Sequence, residues 1–215
     1  MITIGLCGAT GAGKGYVCTV FKSYGVEYID TDKVYATKIV SVGTPCLDEL
    51  CMFFGKEILN YDGTLNKSVL SKKVFEGANA SQRLKVLNTI THKYIREDVV
   101  KTLEENRQGG AKATIIDAPV LFESGFDDLC DVTICVTAPS DVKLQRIILR
   151  DNITAEKAMA RLKSQLPDDR LRELCDYEII NDGVADVDSQ ILEIVKKLNI
   201  GCLTGVKRTS LKPTI

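Results

Sequence analysis

A run of glycines followed by a lysine is the clearest chemical feature of this sequence, and it is Gly8-Ala-Thr-Gly-Ala-Gly13-Lys14. Glycines let successive backbone N–H groups turn toward one anion, and a helix that begins here adds the positive end of its dipole. Lysine at this place reaches the outer phosphates of a nucleotide. The spacing predicts a phosphate-binding loop, although glycine turns between strand and helix also occur for packing alone. The predicted phosphate contacts are Gly8, Ala9, Thr10, Gly11, Ala12, Gly13, Lys14, Gly15 and Tyr16.

The residue after the lysine departs from the usual motif. Gly15 occupies the position at which a serine or threonine hydroxyl normally ligates Mg²⁺. Nucleotide binding tolerates this change more easily than metal-assisted transfer does. The sequence therefore leaves open a nucleotide-binding protein with weakened catalysis.

Two aspartates at the ends of apolar runs are candidates for acid–base and metal chemistry. Asp32 follows the second apolar run of the chain, and Asp117 closes the third. A carboxylate at Asp32 can accept the proton of an attacking hydroxyl. Both carboxylates are candidate Mg²⁺ ligands, directly or through water. The structural alternatives are helix N-caps for Asp30 and Asp32, and a turn before Pro119 for Asp117.

A second charged feature is a helical segment at residues 143–172 that is rich in arginine. Arg146 and Arg150 are four residues apart, so a helix places both on one face. These arginines are candidates for contact with phosphate charge. The structural alternative is a solvated helix face, which is the usual role of such charges.

Five short apolar runs predict the strands that must position these residues, at 2–6, 26–29, 113–116, 132–136 and 177–180. Helical periodicity separates them, and the glycine loop lies between the first strand and the first helix. Parallel strands joined by helices form a sheet that is covered on both faces. The predicted fold is α/β, a three-layer sandwich of the P-loop NTPase type with a five-stranded parallel sheet.

Two segments interrupt the alternation of strand and helix. Residues 33–109 have helical periodicity without a central strand, which is too long for an ordinary crossover and predicts a helical substrate-binding insertion. The nucleotide-binding core then comprises residues 1–32 and 110–200, with a helical lid at about residues 140–173. Residues 201–215 lack apolar periodicity, and we expect a flexible tail.

Composition narrows the class of function. A net charge of -1 gives no general excess of positive charge to hold nucleic acid or an anionic membrane. No apolar run approaches the roughly 20 residues of a membrane span, and the first residues lack a signal-peptide pattern, so we expect a cytoplasmic protein. The 8 cysteines include no Cys-x-x-Cys pair, and His92 is the single histidine, which argues against a zinc site. We expect buried, inert thiols.

Several stretches together resemble dephospho-CoA kinases, and they occur in one order over about residues 1–200. They are Ile4-Gly-Leu-Cys-Gly-Ala-Thr-Gly-Ala-Gly-Lys14, Ile29-Asp-Thr-Asp32, Phe54-Gly-Lys-Glu-Ile-Leu-Asn-Tyr-Asp-Gly-Thr-Leu-Asn66, Thr91-His-Lys-Tyr-Ile-Arg96, Asp117-Ala-Pro-Val-Leu-Phe-Glu123, Gln145-Arg-Ile-Ile-Leu-Arg-Asp151, Arg161 with Gln165, and Asp176-Tyr-Glu-Ile-Ile-Asn-Asp-Gly183. Many families share a phosphate loop, whereas this ordered set is specific.

The resemblance implies a kinase that moves the γ-phosphoryl of ATP, with Mg²⁺, onto the ribose 3′-hydroxyl of dephospho-CoA, the last step of coenzyme A biosynthesis. It implies Asp32 as the catalytic base, Lys14 as the phosphate-loop lysine, and Arg146 as the lid arginine near the transferred phosphoryl. The residues that it implies near adenine are Arg150, Asn181 and Gly183. The residues that it implies at the acceptor are Asp32, His92, Arg96, Pro119, Leu121, Phe122, Glu123 and Arg161.

The chain also departs from the pattern of the family that it resembles. Lys93 replaces a proline after His92, and Cys7 replaces a threonine before the loop. Residues 35–37 carry a one-residue insertion and lack the family's basic residue, which removes one contact expected at the acceptor. For His92 the structural alternative is a satisfied helix histidine.

Two other functions remain open from the sequence. Another small-molecule or nucleotide kinase would share the core and lid but replace the insertion. A nucleotide-binding protein that has lost transfer would explain Gly15, but it has little use for Asp32, Asp117 and the lid arginines. The expected partners are ATP and dephospho-CoA, with no nucleic acid and no membrane, and we expect a monomer, although an oligomer stays open.

Overall fold

The computed structural model describes residues 1–200, so the tail predicted at residues 201–215 lies outside the described residues. The strands are β1 (Ile2–Cys7), β2 (Glu27–Asp30), β3 (Ala113–Asp117), β4 (Val132–Thr137) and β5 (Tyr177–Ile180). The α-helices are α1 (Lys14–Ser23), α2 (Thr31–Val34), α3 (Pro45–Phe54), α4 (Lys67–Phe75), α5 (Ala80–Gln108), α6 (Ser140–Asp151), α7 (Ala155–Lys163), α8 (Asp168–Leu174) and α9 (Val187–Lys197). Short 3₁₀ segments lie at Lys56–Ile58 and Asp127–Leu129, and one π-helix at Tyr35–Ile39.

The five strands form one sheet in the order β2-β3-β1-β4-β5, and every neighbouring pair is parallel. This confirms the predicted five-stranded parallel sheet. Because β2 and β3 lie on one side of β1 and β4 and β5 on the other, the direction of the connections reverses at β1. In open α/β sheets ligands bind outside the carboxyl ends of the strands at such a switch point. The glycine loop after β1 therefore lies where a ligand is expected.

Apolar side chains cover both faces of the sheet. On one face, Ile4 and Leu6 of β1 belong to a buried cluster with residues of α1 and α9. On the other face, Cys7 shares a cluster with Ile116 of β3 and Leu171 of α8, together with helices of the insertion. Side chains alternate between the faces of a strand, so β1 supplies both cores. The result is the predicted three-layer α/β sandwich.

The regular structure between β2 and β3 is helical, apart from an isolated bridge between Leu59 and Leu65. This agrees with the helical periodicity of the region. α5 is the longest helix, with 29 residues, and its buried stripe consists of Ile90, Thr91, Ile95, Val99 and Leu103. Within residues 1–200, neither this helix nor another is long and apolar enough to cross a membrane.

A π-helical turn at Tyr35–Ile39 includes residues 35–37, where the sequence predicts a one-residue insertion. Tyr35–Ile39 continues directly from α2, and the N–H of Val40 donates to the carbonyl oxygen of Tyr35 at 3.2 Å. A π turn accommodates an extra residue inside a helix by closing a longer hydrogen-bonded ring, and such turns are frequent at functional sites. Residues 35–37 therefore lie within a helix and not in a loop.

Helices α6, α7 and α8 form the segment predicted as the lid. Lys143 of α6 and Asp168 of α8 are joined by an ion pair in which Nζ lies 2.8 Å from both carboxylate oxygens. Their side chains are only 7% and 14% exposed, so the pair is almost entirely removed from water. It ties the last helix of the lid to α6.

Candidate active site

The glycine loop joins β1 to α1 at the centre of the sheet. Gly11 and Gly13 have φ values of 80° and 96°, a conformation that residues with a Cβ rarely adopt. A Cβ at Gly13 would also collide with Nδ2 of Asn181, which follows β5. Glycine is therefore required here both by the turn and by the close approach of the neighbouring loop.

Lys14 is the first residue of α1, and its Nζ donates to the carbonyl oxygen of Gly8 at 3.0 Å. The side chain thus folds back across the loop. An ammonium group in this position lies beside any anion that the N–H groups of the loop hold. The local geometry is that of a phosphate-binding loop with its counter-charge in place.

A cavity of about 990 Å³ opens beside the loop, at the carboxyl edge of the sheet. Residues from the loop, from the ends of β2 and β3, from α6 and from the lid line this cavity. They are Ala9, Thr10, Gly11, Gly13, Lys14, Gly15, Tyr28, Asp30, Asp32, Asp117, Pro119, Arg146, Leu149, Arg150 and Gln165. Most of the predicted nucleotide-binding residues and both predicted carboxylates, Asp32 and Asp117, therefore line the same cavity.

Asp30 and Asp32 have different roles at the start of α2. Asp30 is the N-cap, and its Oδ1 accepts a hydrogen bond from the N–H of Lys33 at 2.9 Å. Asp32 lies within the helix and lines the cavity. Partial burial, and then the neighbouring Asp30 carboxylate, raise the pKa of Asp32, while the Lys14 ammonium lowers it. The capping alternative therefore applies to Asp30 and leaves the Asp32 carboxylate available to a ligand.

Asp117 ends β3 and uses only one of its carboxylate oxygens. The hydroxyl of Tyr28 donates to Oδ2 at 2.9 Å. Oδ1 is buried and has no hydrogen-bond partner among the described residues. Burial is the main influence that raises the pKa of Asp117, against the Lys14 ammonium, which lowers it. A buried oxygen with free lone pairs is a natural ligand for a hard cation or for its bound water.

These residues fit an Mg²⁺ ion that is shared with nucleotide phosphates. Within residues 1–200, no group of three or more His, Cys, Asp or Glu side chains forms a complete protein site. Mg²⁺ usually takes one or two carboxylates and completes its octahedron with phosphate oxygens and water. Asp117 and Asp32 meet that requirement. Gly15 offers no ligand, and a Cβ built there meets no atom within 4 Å.

Arg146 of α6 is tied to the glycine loop and to the loop after β5. Its Nη1 donates to the carbonyl oxygens of Gly11 at 3.2 Å and Asn181 at 3.0 Å. Asn181 in turn donates through Nδ2 to the carbonyl oxygen of Ala12 at 2.9 Å. The guanidinium is thus held beside the loop, with Asn181 as its support. Gly183 lies in the same loop, with a φ of 90°.

Thr10 connects the loop to α6 and to the lid. Arg150 donates through Nη2 to Oγ1 of Thr10 at 3.2 Å, and the N–H of Thr10 donates to Oε1 of Gln165 at 2.8 Å. Asp151 accepts hydrogen bonds from Arg150 and from Arg161, so one carboxylate joins two predicted site arginines. The segment predicted as the lid therefore contacts the glycine loop.

His92 and Arg96 lie one turn apart on α5 but do not line the cavity. The His92 ring packs near that of Phe126, with centroids 6.3 Å apart, and burial lowers its pKa, which favours the neutral form. Nη1 of Arg96 donates to the carbonyl oxygen of Gly125 at 2.7 Å. Both side chains approach the turn that follows β3. Lys93, in place of the family's proline, pairs with Glu49 at 3.4 Å.

The predicted acceptor residues that follow Asp117 lie in three different environments, namely the cavity, the core and the surface. Pro119 lines the cavity, whereas Leu121 is 0% exposed and packs in the core. Phe122 is half-buried and Glu123 is exposed. Tyr16 also points away from the cavity, because its hydroxyl donates to Oδ1 of Asp188 on α9 at 2.8 Å.

Four polar residues of this region were not among the predicted site residues, namely Tyr28, Asp30, Asp151 and Gln165. The sequence contains a signal for each. Tyr28 lies two positions before Asp30, so strand alternation places both on one face of β2. Asp151 and Gln165 belong to stretches that carried the family resemblance, but no motif rule assigned them a contact.

Comparison with known proteins identifies a family whose members match most of this chain. The model of the dephospho-CoA kinase family matches residues 2–186. A dephospho-CoA kinase of Listeria innocua serovar 6a is 33% identical over 91% of this chain and 96% of its own length. Another, of Moorella thermoacetica, is 39% identical over 77% of this chain and 76% of its own.

A solved structure gives the same result for the fold. A crystal structure of a Thermus thermophilus protein superposes with a TM-score of 0.79 at 26% identity, covering 93% of this chain and 98% of that one. The agreement includes the insertion and the lid region, since nearly the full length of both chains is covered. Together with the family model and the two relatives, the similarity shows that this chain belongs to the dephospho-CoA kinase family.

Proposed function

We propose that this protein transfers the γ-phosphoryl of ATP to the ribose 3′-hydroxyl of dephospho-CoA, giving CoA and ADP. The observation that carries the proposal is the single cavity in which Lys14, Asp32, Asp117 and Arg146 meet beside a phosphate-binding loop. Membership of the family supplies the identity of the acceptor. An attacking hydroxyl, its base and the charge-neutralising groups can all be accommodated at this one edge of the sheet.

Asp32 is the proposed general base. It must accept the proton of the 3′-hydroxyl as the oxygen attacks, and a base functions best when its pKa is not far below the operating pH. Burial and the adjacent Asp30 raise the pKa of Asp32 in that direction. Among the described contacts, Asp32 forms no ion pair with Lys14, which would make the carboxylate a weaker base. Lys14 donates instead to the carbonyl oxygen of Gly8.

Lys14 and Arg146 are the proposed charge-stabilising groups. Lys14 neutralises the outer phosphates, and Arg146, fixed to the loop by its carbonyl contacts, faces charge that shifts toward the leaving oxygen. Asp117 and Asp32 would hold Mg²⁺, which neutralises phosphate charge when it is bound with ATP. Arg150, Asn181 and Gly183 are proposed to border the nucleotide base.

The acceptor is proposed to lie between α5, the turn after β3 and the lid. His92, Arg96, Pro119 and Arg161 supply the polar and apolar surfaces there, with Phe122 and Glu123 at its margin. Arg96 and Pro119 border one turn, since Arg96 bonds to the carbonyl of Gly125. Leu121 supports that turn from the core.

Neither alternative function is favoured. A different small-molecule kinase is disfavoured, because the family match runs through the helical insertion that such an enzyme would replace. A pure nucleotide-binding protein is disfavoured by the free carboxylate oxygen of Asp117 and by Asp32 beside the loop. A carboxylate base and a buried metal-ligating oxygen both suit phosphoryl transfer, and a protein that only holds a nucleotide does not need the base.

The deciding experiment is a coupled assay of ADP release by the purified protein. With ATP and Mg²⁺, we expect turnover with dephospho-CoA and none above background with AMP, adenosine or shikimate. Mass spectrometry of the product should show CoA, phosphorylated at the 3′ position. Turnover with a nucleoside but not with dephospho-CoA would replace this function by another kinase activity, and ATP binding without turnover would leave a nucleotide-binding protein.

A further inference from the structure

Tyr28 and Asp117 lie on adjacent strands and on one face of the sheet. β2 and β3 pair in parallel, with Tyr28 opposite Ile115 and Asp30 opposite Asp117. Because side chains alternate along a strand, Tyr28, Ile115 and Asp117 face the same side. Ile115 belongs to the buried cluster that also contains residues of α1, and Tyr28 packs against this cluster. Asp117 therefore points toward the helix that begins at the phosphate-binding loop.

The contacts of the Asp117 carboxylate are one-sided. The hydroxyl of Tyr28 donates to Oδ2 at 2.9 Å, and Sγ of Cys18 on α1 lies 4.0 Å from the same oxygen. The other oxygen, Oδ1, is buried without a hydrogen-bond partner among residues 1–200. A carboxylate that is anchored through one oxygen has a fixed orientation, and the second oxygen is then presented in one direction.

The chain has a specific need for such anchoring. Gly15, in the first turn of α1, contributes no hydroxyl, and it lines the same cavity as Tyr28 and Asp117. Because Gly15 provides no hydroxyl ligand, the position of a nucleotide-bound cation depends more strongly on the carboxylates of Asp32 and Asp117. Hydrogen bonds from outside the ligand set orient metal ligands and tune their affinity.

We propose that Tyr28 is a positioning residue of the phosphoryl-transfer site, whose hydroxyl fixes Asp117 so that Oδ1 faces the divalent cation that accompanies ATP. The inference rests on the proposed function, because that function supplies the nucleotide and its cation. It assigns Tyr28 no contact with substrate. Its effect passes entirely through the orientation of Asp117.

The Tyr28→Phe substitution tests the hydroxyl of Tyr28 separately from its ring. The ring of Tyr28 is half-buried, and Nζ of Lys22 lies 4.1 Å from its centroid. Phenylalanine keeps that ring and its packing and removes the hydroxyl that donates to Asp117. Tyr24→Phe is the matched control, because Tyr24 packs against the same apolar cluster but does not line the cavity.

The test measures binding of Mn²⁺, which substitutes for Mg²⁺, by the loss of the free-ion EPR signal. The full chain is kept in excess over a non-hydrolysable ATP analogue, so that little free analogue competes for Mn²⁺. Dephospho-CoA is omitted, so failure of the acceptor assignment does not affect the result. We expect Tyr28→Phe to weaken Mn²⁺ binding by about 10-fold or more, the scale of lost support at metal sites. Tyr24→Phe should bind Mn²⁺ as the unmodified chain does. Affinity for the analogue in EDTA should be the same in all three proteins.

Asp117→Asn completes the experiment. This variant should itself weaken Mn²⁺ binding, and adding Tyr28→Phe to it should cause no further loss, because the tyrosine acts through that carboxylate. Equal Mn²⁺ affinity in Tyr28→Phe and the unmodified chain would overturn the proposal. So would a loss of analogue affinity in EDTA, or additive effects in the double variant. If Tyr28→Phe does not fold, unchanged Mn²⁺ binding by Asp117→Asn is sufficient to reject the proposal.

Discussion

At the scale of single residues, the pair Asp30 and Asp32 shows how a small difference in position separates structure from chemistry. Asp30 is the N-cap of α2, and its carboxylate accepts a hydrogen bond from the N–H of Lys33. Both residues border the cavity, but Asp32, two positions later, lies inside the helix and is not the N-cap. The cap also places a negative charge beside the proposed base. That charge and partial burial both favour the protonated form of Asp32.

We expect Asp32→Asn to reduce kcat by about 10²–10⁴-fold with little change in ATP affinity, because asparagine cannot accept the proton of the attacking hydroxyl. Steady-state kinetics with dephospho-CoA, together with a nucleotide titration, measure the two quantities. Asp30→Asn is the matched control, since asparagine caps a helix as well as aspartate does and should keep most of the turnover. A variant at Asp32 with nearly full kcat would show that the residue is only part of a helix.

The same base predicts a pH dependence. The Asp32 carboxylate is active when ionised, so kcat/KM should be constant above its pKa and fall as the pH is lowered through it. Because the pKa is raised, this acid limb should lie above the value of about 3.9 that is usual for aspartate. Asp30→Asn removes the neighbouring charge and should move the limb to lower pH. A limb at the same pH in both proteins would contradict the assignment.

At the scale of elements, the start of α1 combines a complete phosphate-binding turn with an incomplete metal ligand set. Gly15 is absent from the residues with positive φ, so its backbone suits any L-residue. A Cβ at this position would meet no atom within 4 Å. A serine can therefore be introduced without steric strain, and its hydroxyl would occupy the position at which P-loop enzymes ligate Mg²⁺.

We expect Gly15→Ser to lower the Mg²⁺ concentration for half-maximal rate and to raise kcat, because a tethered hydroxyl is more ordered than the water that it replaces. The change should be no larger than the roughly 10–100-fold effect of supporting groups at metal sites. A magnesium titration of the initial rate at saturating ATP and dephospho-CoA measures it. Gly15→Ala is the matched control, since alanine also improves helix propensity but brings no hydroxyl. Coincident titrations for all three proteins would mean that other groups already hold the ion.

The elements also explain what the sequence could and could not predict. The strands and the glycine loop were predictable because each depends on a local pattern, namely an apolar run or a turn that only glycine adopts. The π-helix at Tyr35–Ile39 was not, because an insertion in helical sequence fits a loop as well as a widened turn. Whether Asp30 or Asp32 capped α2 depended on where the helix begins, and sequence rules locate helix ends poorly.

At the scale of the whole molecule, the chain brings distant residues together at one edge of the sheet. The carboxyl ends of parallel strands share an edge, and this rule explains why the loop after β1 lies beside Asp32 and Asp117. Contacts between the lid and the loop, such as Gln165 with Thr10, follow from packing of α6 to α8 and have no local signal. Likewise, His92 and Arg96 match the family's pattern, but their placement beside the turn after β3 depends on how α5 packs.

Within the segment predicted as the lid, a buried charge pair joins α6 to α8, so the packing of these two helices is sensitive to a single substitution. Lys143→Met keeps the length and apolar stem of the side chain but leaves Asp168 with an unpaired carboxylate that is 14% exposed. Breaking a buried pair in this way costs about 3–5 kcal/mol, because the remaining charge stays out of water. Urea unfolding with an unchanged m value should show this loss of stability. Adding Asp168→Leu should recover most of the lost stability, since an apolar pair of similar volume replaces a buried ion pair at little cost.

Arg107→Met is the control for an exposed pair. Arg107 and its partner Glu104 are 55% and 51% exposed, so this variant should leave the urea midpoint nearly unchanged. If Lys143→Met is as stable as Arg107→Met, the contact between α6 and α8 depends on apolar packing and not on the ion pair.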